Sequence, residues 1–354
     1  MKNCVLVIPA LNPNEKLCEY VRLLSEERFL SILIIDDGSE HTCQSIFDRC
    51  SSYHNVKVIR HSENKGKGRA LKNAFAYILD DEQMSKANGV ITADADGQHK
   101  LSDVMTICQS LSKDQSKLVL GVRSFDSENV PLSNKTGNTI TRHVFRLLYG
   151  KRISDTQTGL RGIDMDSLHH FTDLEGERFS YETNMLIAAV RQNLTIEECP
   201  IETVYINENE SSHFNPFKDS AEIYWVLFKN FFKFMGVSLT SFILDITLFQ
   251  LFILILGFTF ARRRILISTI LARAGSSLFN YCMNRSVVFK SRRKWNKTII
   301  GYYSLAVAEA VTSGLSVYLL FQLTGFREVF LKAGVDLVIF LVSYRIQKLV
   351  VFKD

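Results

Sequence analysis

The stretch ITADADGQH, residues 91–99, contains the feature that decides the fold of the first half of the chain. A short apolar run ends in Asp94 and Asp96, two carboxylates separated by one residue. A buried strand that delivers Asp-x-Asp to its carboxyl end suits a divalent cation over a diphosphate, because Mg²⁺ takes one or two carboxylates and leaves its other positions to phosphate oxygens. In this context the triplet indicates chemistry on a nucleotide-sugar, although Asp-x-Asp alone is also common in surface turns.

Apolar runs alternate with helical patterns through the first part of the chain. The apolar runs lie at residues 4–8, 32–35, 56–59, 90–92 and 118–122, and the helical patterns lie at 15–26, 42–50, 68–79 and 102–111. This alternation predicts an α/β domain with a doubly wound parallel sheet, in which ligands bind beyond the carboxyl ends of the strands. The polar sequences PALNP, DDGS, ENKGKG and DADGQH follow the first four runs. Each alone also fits an ordinary turn or solvated loop, but their shared position predicts a site at one sheet edge.

Composition separates a polar head from an apolar tail. Hydrophobic residues make up 46% of the 354 residues, and the excess lies beyond about residue 230. The net charge of +5 gives little support to nucleic-acid binding. Seven cysteines without a C-x-x-C pair argue against a disulfide framework and a zinc site. The early run CVLVIPAL is too short for a cleavable signal peptide, so we expect a cytoplasmic head.

As a set, several sequence motifs identify a family resemblance. IPALN, IIDDGS, NKGKGRAL, DADGQH, GVRSF, DTQTGLRG and ERFSYETNML cover roughly the first 200 residues. Over this range the chain resembles glycosyltransferase family 2 with its α/β GT-A (Rossmann-like) fold. More narrowly, it is similar to the transferases that move a sugar onto polyprenyl phosphate.

The resemblance implies a set of residues for the nucleotide-sugar and its metal. Asp37 would hydrogen-bond the base or ribose, and Lys67 would approach the phosphates, unless it is simply a solvated loop lysine. Asp94, Asp96 and Gln98 would bind Mg²⁺ or Mn²⁺, with Asp94 also contacting the nucleotide. The other residues implied for nucleotide-sugar binding are Pro9, Ala10, Leu11, Ile35 and Ala95.

The resemblance also implies an acceptor site. Arg123, Lys135 and Arg161 would bind the acceptor phosphate, and Asp155 would orient the acceptor or accept a proton. Asp96, Asp155 and Arg123 are accordingly the predicted catalytic residues. Two alternatives stay open from the residues themselves: either arginine could be a structural ion-pair partner, and Asp155 could cap the turn before Gly159.

The tail has the composition of a membrane domain. Aromatic residues interleaved with lysines predict an interfacial amphipathic segment at 216–233, after a head domain at 1–215. Four spans follow within 234–354, at about 234–256, 265–288, 299–323 and 329–350. Five Lys or Arg residues between 290 and 297 favour a multi-pass protein of the cell membrane with both termini in the cytoplasm, although Arg262, Arg263 and Arg264 disagree.

An internal repeat marks the tail. NYCMNRSVVFK at 280–290 recurs as SYRIQKLVVFK at 343–353, each at the end of a predicted span. Two related helical hairpins are a common plan for membrane carriers, and this tail resembles the GtrA-like four-helix family.

Together these features predict an inverting hexosyltransferase that uses a UDP- or GDP-hexose and polyprenyl (undecaprenyl or dolichyl) phosphate, for modification of cell-envelope glycans. The membrane is a partner, nucleic acid is not, and a second copy of the chain is a further candidate. Two alternatives are a transferase that extends a polysaccharide or glycolipid, and a carrier of lipid-linked sugar with a degenerate head.

Overall fold

The structure is a computed structural model, and it describes residues 2–111, 117–123, 132–202, 217–257 and 261–353. The chain forms two compact units, Met1–Leu227 and Phe228–Asp354.

The first unit is built on a mixed β-sheet. Its strands, in sheet order β3-β2-β1-β4-β6-β5-β7, are β1 Lys2–Ala10, β2 Phe29–Asp36, β3 Val56–Arg60, β4 Gly89–Thr92, β5 Lys117–Arg123, β6 Arg161–Asp164 and β7 Thr195–Ile201. Strand β1 contributes a run of five buried residues, Cys4–Ile8, because a strand covered on both faces must be apolar on both. All five predicted strands are confirmed.

Helices cover this sheet. They are α1 Lys16–Glu26, α2 Gln44–Ser51, α3 Lys67–Asp80, α4 Leu101–Leu111, α5 Leu132–Tyr149, α6 Met165–Leu168 and α7 Ser180–Arg191. In α1 the residues Leu17, Tyr20, Val21 and Leu24 are buried, which is the spacing of one helix face. The four helices predicted from the sequence correspond to α1–α4.

The expectation of a wholly parallel sheet was wrong at β6. This strand is antiparallel to both of its neighbours, whereas the other strand pairs are parallel. A buried strand of four residues, RGID, carries no sign of its direction in its sequence. The reversal pairs Thr92 of β4 with Arg161 of β6, so the turn before β6 lies beside the residues that follow β4.

The second unit consists of long helices. They are α8 Lys218–Ile255, which begins in the first unit, α9 Ala261–Met283, α10 Trp295–Thr324 and α11 Glu328–Ile346. By length and composition, α8 and α10 are long and apolar enough to cross a membrane; the four-span count stays a prediction. One continuous helix of 38 residues, α8, runs through residue 233, where the sequence predicts a change from an interfacial segment to a membrane span. Its Gly236 weakens a helix by only about 1 kcal/mol and does not end it.

The sequence repeat recurs in the structure. Each copy contains a single π-helical segment, Asn284–Val288 in the first and Gln347–Val351 in the second. These segments occupy equivalent positions in the two repeats. The repeat is therefore one structural unit used twice.

The two π-helical segments contact each other through equivalent residues. Asn284 Nδ2 donates to Gln347 Oε1 at 3.3 Å, which pairs residues that match in the repeat alignment. The rings of Phe289 and Phe352, another matched pair, stack with centroids 5.3 Å apart. Contacts between like residues of two repeats are the mark of approximate two-fold symmetry. The reciprocal ring contacts are Tyr281–Phe352 at 5.9 Å and Tyr344–Phe289 at 5.8 Å.

Candidate active site

A buried carboxylate holds the loop that precedes α3. Asp37 accepts hydrogen bonds from the backbone N–H of Lys65 at 3.0 Å and of Gly66 at 2.8 Å. Its Oδ1 also lies 2.7 Å from His61 Nδ1, and His61 Nε2 lies 2.9 Å from Asn73 Nδ2. Asp37 thus has a positioning role that the sequence did not predict. Its contact with a base or ribose stays a prediction.

The predicted base pocket lies at the end of β1 and β2. Pro9 and Leu11 are partly exposed, Ala10 is buried, and Ala95 is half-buried after β4. Ile35, in contrast, lies one residue before the end of β2 and is 0% exposed, so its side chain belongs to the core. The predicted nucleotide contact of Ile35 would therefore have to involve its backbone, because the side chain of a strand residue one position from the edge is already covered by helices.

The acidic pair after β4 is joined to cationic and acidic side chains from other elements. The Lys67 ammonium, at the start of α3, lies 2.7 Å from Asp94 Oδ1 and 3.0 Å from Glu182 Oε1. Asp94 Oδ2 lies 3.3 Å from His99 Nε2. Asp96 Oδ1 accepts the backbone N–H of Gln98 at 3.0 Å. The structure therefore brings together Lys67, Asp94 and Asp96 as predicted, and adds Glu182 and His99.

The two carboxylates differ in their electrostatic environment. Burial acts to raise the pKa of Asp94, but Lys67 and His99 outweigh it and hold this pKa well below its ordinary value. Burial, followed by the negative charge of Asp94, raises the pKa of Asp96. For Lys67, burial acts to lower the pKa, but the two carboxylates around it raise it overall. The Lys67 ammonium thus compensates the negative charge of Asp94 more fully than that of Asp96.

This arrangement fits a divalent cation shared with a diphosphate. Among the described residues there is no group of three or more His, Cys, Asp or Glu side chains placed to hold a metal ion by themselves. Mg²⁺ and Mn²⁺ commonly take one or two carboxylates and complete their shell with phosphate oxygens and water. Asp94, Asp96 and Gln98 are the residues that would hold such an ion, and its charge would compensate Asp96.

The turn before β6 approaches the acidic pair closely. A Cβ added to Gly159 would lie 2.2 Å from Asp94 Oδ2, and the Gly159 carbonyl accepts a hydrogen bond from Thr92 Oγ1 at 2.8 Å. A larger residue at this position would therefore have to displace the Asp94 carboxylate.

Gly159→Ala is expected to displace the Asp94 carboxylate and to lower the rate of sugar transfer by a factor of about 10 to 100, because small misplacements of a catalytic group carry costs of this size. Steady-state rates of sugar transfer measure this loss, and a circular-dichroism spectrum checks that the variant is folded. Gly137→Ala is the matched control, since an added Cβ there has no described atom within 4 Å. Equal rates for Gly159→Ala and the control would contradict the importance of this contact.

Arg123 and Asp155, predicted separately, form one ion pair. Arg123 Nε donates to Asp155 Oδ2 at 2.7 Å, and Nη2 donates to Oδ1 at 3.0 Å. Asp155 also accepts the backbone N–H of Gln157 at 3.1 Å and is 0% exposed. A fully buried carboxylate paired in this way is not presented to an acceptor, so the structure corrects the prediction that Asp155 orients it or takes its proton. The ion pair and the turn-capping contact named by the structural alternatives are both present, and binding of the acceptor phosphate by Arg123 stays a prediction.

Arg161 was predicted at the acceptor phosphate, and the structure corrects this as well. The residue is 1% exposed; its Nε donates to the carbonyl of Thr158 at 2.9 Å and its Nη1 to the carbonyl of Glu182 at 2.7 Å. Burial lowers its pKa. Arg161 is a buried cation at the base of the site. The side chain of Lys135, the third predicted phosphate ligand, lies outside the described residues.

Three functional candidates were missed in the sequence: His61, His99 and Glu182. His99 ends the DADGQH motif and Glu182 lies in ERFSYETNML, so both were within quoted motifs without a role. His61 follows β3 directly, and its only signal was that position. A lone histidine or glutamate in a sequence does not reveal which distant side chain it meets.

Comparison with known proteins agrees with this geometry. The family model "Glycosyl transferase family 2" matches residues 5–171. A UDP-N-acetylglucosamine–dolichyl-phosphate N-acetylglucosaminyltransferase of Methanococcus voltae is 31% identical over 219 residues, which cover 56% of this chain and 85% of that protein. The chain belongs to glycosyltransferase family 2. It is therefore a glycosyltransferase, and its mixed α/β head is GT-A-like.

Two further similarities concern the acceptor and the tail. A dolichyl-phosphate β-glucosyltransferase of Saccharomyces cerevisiae is 28% identical over 224 residues, covering 55% of this chain and 65% of that protein. The model "GtrA/DPMS, transmembrane domain" matches residues 233–352. This family 2 glycosyltransferase thus carries a membrane domain, and both parts of the predicted family resemblance are confirmed.

Proposed function

We propose that this glycosyltransferase moves a hexose from a UDP- or GDP-hexose to polyprenyl phosphate, with inversion, at the cytoplasmic face of the membrane. The single observation that carries the proposal is the acidic pair Asp94 and Asp96 beside Lys67 at the carboxyl end of β4. It suits a metal-bound diphosphate. The fusion of this head to a domain that matches the GtrA/DPMS family, together with the two named relatives, supports a lipid-phosphate acceptor.

The reaction needs one displacement. An oxygen of the lipid phosphate attacks the anomeric carbon of the sugar, a new C–O bond forms, and the bond from that carbon to the diphosphate breaks. The nucleoside diphosphate leaves with both electrons of that bond, and a single displacement inverts the carbon. A metal ion held by Asp94 and Asp96 would neutralise the charge that develops on the leaving diphosphate.

The acceptor reduces the demand for a general base. A phosphate monoester has its second pKa at about 6, so it is already anionic near neutral pH. Positioning then matters more than proton removal. The buried pair of Asp155 with Arg123 agrees with this, because it removes the carboxylate proposed as a base and keeps the guanidinium in a fixed orientation.

For the tail, we propose four spans in a multi-pass protein of the cell membrane, with the head domain and both termini in the cytoplasm. The domain limits proposed are 1–215 for the head, 216–233 for the interfacial segment and 234–354 for the membrane domain. The exposed apolar side chains of α8 and α10, such as Leu254 and Ile300, support contact with lipid. The orientation is tested by fusing to the C-terminus either a reporter that is active in the cytoplasm or one that is active in the periplasm or lumen. We expect only the cytoplasmic reporter to be active, and activity of only the other reporter would contradict the proposed orientation.

The test of the proposed function is a membrane assay with polyprenyl phosphate and labelled UDP-glucose, UDP-N-acetylglucosamine and GDP-mannose. We expect one donor to give a labelled lipid monophosphate sugar, whose anomeric configuration, read by NMR, is opposite to that of the donor. Label that enters only a polysaccharide or an existing glycolipid would support the alternative transferase. Omission of polyprenyl phosphate is the control.

A further inference from the structure

Lys67 contacts Asp94, a carboxylate that would hold the metal ion. Its ammonium lies between two carboxylates, 2.7 Å from Asp94 Oδ1 and 3.0 Å from Glu182 Oε1, and its side chain is 18% exposed. The second oxygen of Asp94 faces His99 at 3.3 Å. Both oxygens of this carboxylate therefore already have a protein partner.

A metal ion that arrives alone meets an unfavourable site. To bind Asp94 it must compete with the ammonium at Oδ1 or with His99 at Oδ2, and in either position it stays close to the positive charge of Lys67. Asp96 offers it a single carboxylate, which is a weak ligand set for a hard divalent cation. Free metal is thus expected to bind poorly.

The nucleotide-sugar changes this balance. Its diphosphate is an anion that competes with Asp94 for the ammonium, and Lys67 lies at the first turn of α3, where the helix dipole favours negative charge. An ammonium is a compact charge with three donors on a flexible stem. It can keep Glu182 as one partner while it exchanges Asp94 for a phosphate oxygen, which releases Asp94 to the metal.

We propose that Lys67 is an internal cation that blocks Asp94 until the diphosphate of the donor draws it away, so that metal and nucleotide bind with strong positive coupling. This inference rests on the proposed use of a nucleotide-sugar. By linkage, the factor by which the diphosphate tightens the metal is also the factor by which the metal tightens the diphosphate. Glu182 is the positioning residue that keeps the ammonium in the site during the exchange.

The experiment measures binding of Mn²⁺ to the full chain in detergent by electron paramagnetic resonance, with and without UDP or GDP. Mn²⁺ bound by the free nucleotide is subtracted. For the unchanged protein we expect weak binding of Mn²⁺ alone and a gain of about tenfold or more with the matching nucleoside diphosphate, within the usual range of coupling between sites.

Lys67→Met should tighten Mn²⁺ alone by about five- to tenfold and reduce the gain from the nucleotide to about threefold or less. Lys65→Met is the matched control, because it removes an exposed lysine from the same loop without a bond to Asp94. An Mn²⁺ affinity of Lys67→Met no tighter than that of the control, or an unchanged gain from the nucleotide, would overturn the inference.

Lys67→Arg provides a second test of the inference if Lys67→Met does not fold. A guanidinium keeps the charge and grips a carboxylate with two parallel hydrogen bonds, so it should release Asp94 less readily. We expect weaker Mn²⁺ binding in the presence of the nucleotide, and tighter binding would overturn the inference. The acceptor is absent from these measurements. Coupling without any transfer to polyprenyl phosphate would contradict the proposed function alone, whereas transfer with no effect of Lys67 on Mn²⁺ would contradict this inference alone.

Discussion

Asp96→Ala is expected to lower the rate of sugar transfer by about two to three orders of magnitude, the usual cost of removing an electrostatic stabiliser of developing charge. Among the described residues, Lys67 forms an ion pair with Asp94 and none is described for Asp96, whose pKa is raised by burial and by the charge of Asp94. A metal ion would therefore lose the carboxylate most open to it, and the diphosphate cannot replace that ligand.

The folded structure should survive this change. In the part of the chain that the structure describes, Asp96 accepts a hydrogen bond from the backbone N–H of Gln98, and one such bond contributes about 1 kcal/mol. Transfer rates are measured beside thermal melting, with Asp80→Ala as a control that removes an exposed carboxylate at the end of α3. Near-normal turnover of Asp96→Ala, or full activity of the unchanged protein in excess chelator, would be incompatible with the metal-dependent mechanism.

Local patterns in the sequence predicted much of the head. The buried run of β1 and the face of α1 follow directly from apolar spacing, and the motifs after β1, β2, β3 and β4 predicted which sheet edge carries the site. Burial and helical periodicity are properties of neighbouring residues. For that reason a single sequence was enough to predict these elements.

Residues whose environment is set by distant parts of the chain were predicted poorly. An arginine in a sequence suggests an exposed phosphate ligand, yet Arg161 is buried because β6 inserts between β4 and β5 and the carbonyls of Thr158 and Glu182 accept its hydrogen bonds. The contact of Lys67 with Glu182 joins the starts of α3 and α7. Neither the strand order nor this helix contact has a local signature.

In the tail, too, some features were predicted from the sequence and one was not. Its apolar composition and its repeat were readable, and the repeat correctly marked two equivalent structural segments. The continuity of α8 was not predicted, because aromatic and lysine residues suit a helix at an interface and a helix that continues beyond it equally well.

Arg123→Ala is expected to lower the free energy of unfolding by about 3 kcal/mol, at the lower end of the range for breaking a buried ion pair. Asp155 would be left as a buried charge whose guanidinium partner is gone, while the arginine itself is 19% exposed, which limits the loss. Denaturant titration of the full chain measures this change in the free energy of unfolding. Arg152→Ala, at an exposed residue of the same charge, is the control and should change stability little.

The double variant Arg123→Ala/Asp155→Ala separates structure from acceptor binding. Removing both partners leaves no unpaired charge, so we expect it to recover most of the stability lost by Arg123→Ala. The ion pair with Asp155 fixes the orientation of the planar guanidinium, which suits an arginine held in place for a phosphate. We therefore expect the KM for polyprenyl phosphate to stay raised in both variants while the KM for the nucleotide-sugar stays constant. Recovery of the acceptor KM together with stability would assign Arg123 a structural role alone, and a rise in the nucleotide-sugar KM would move it to the donor site.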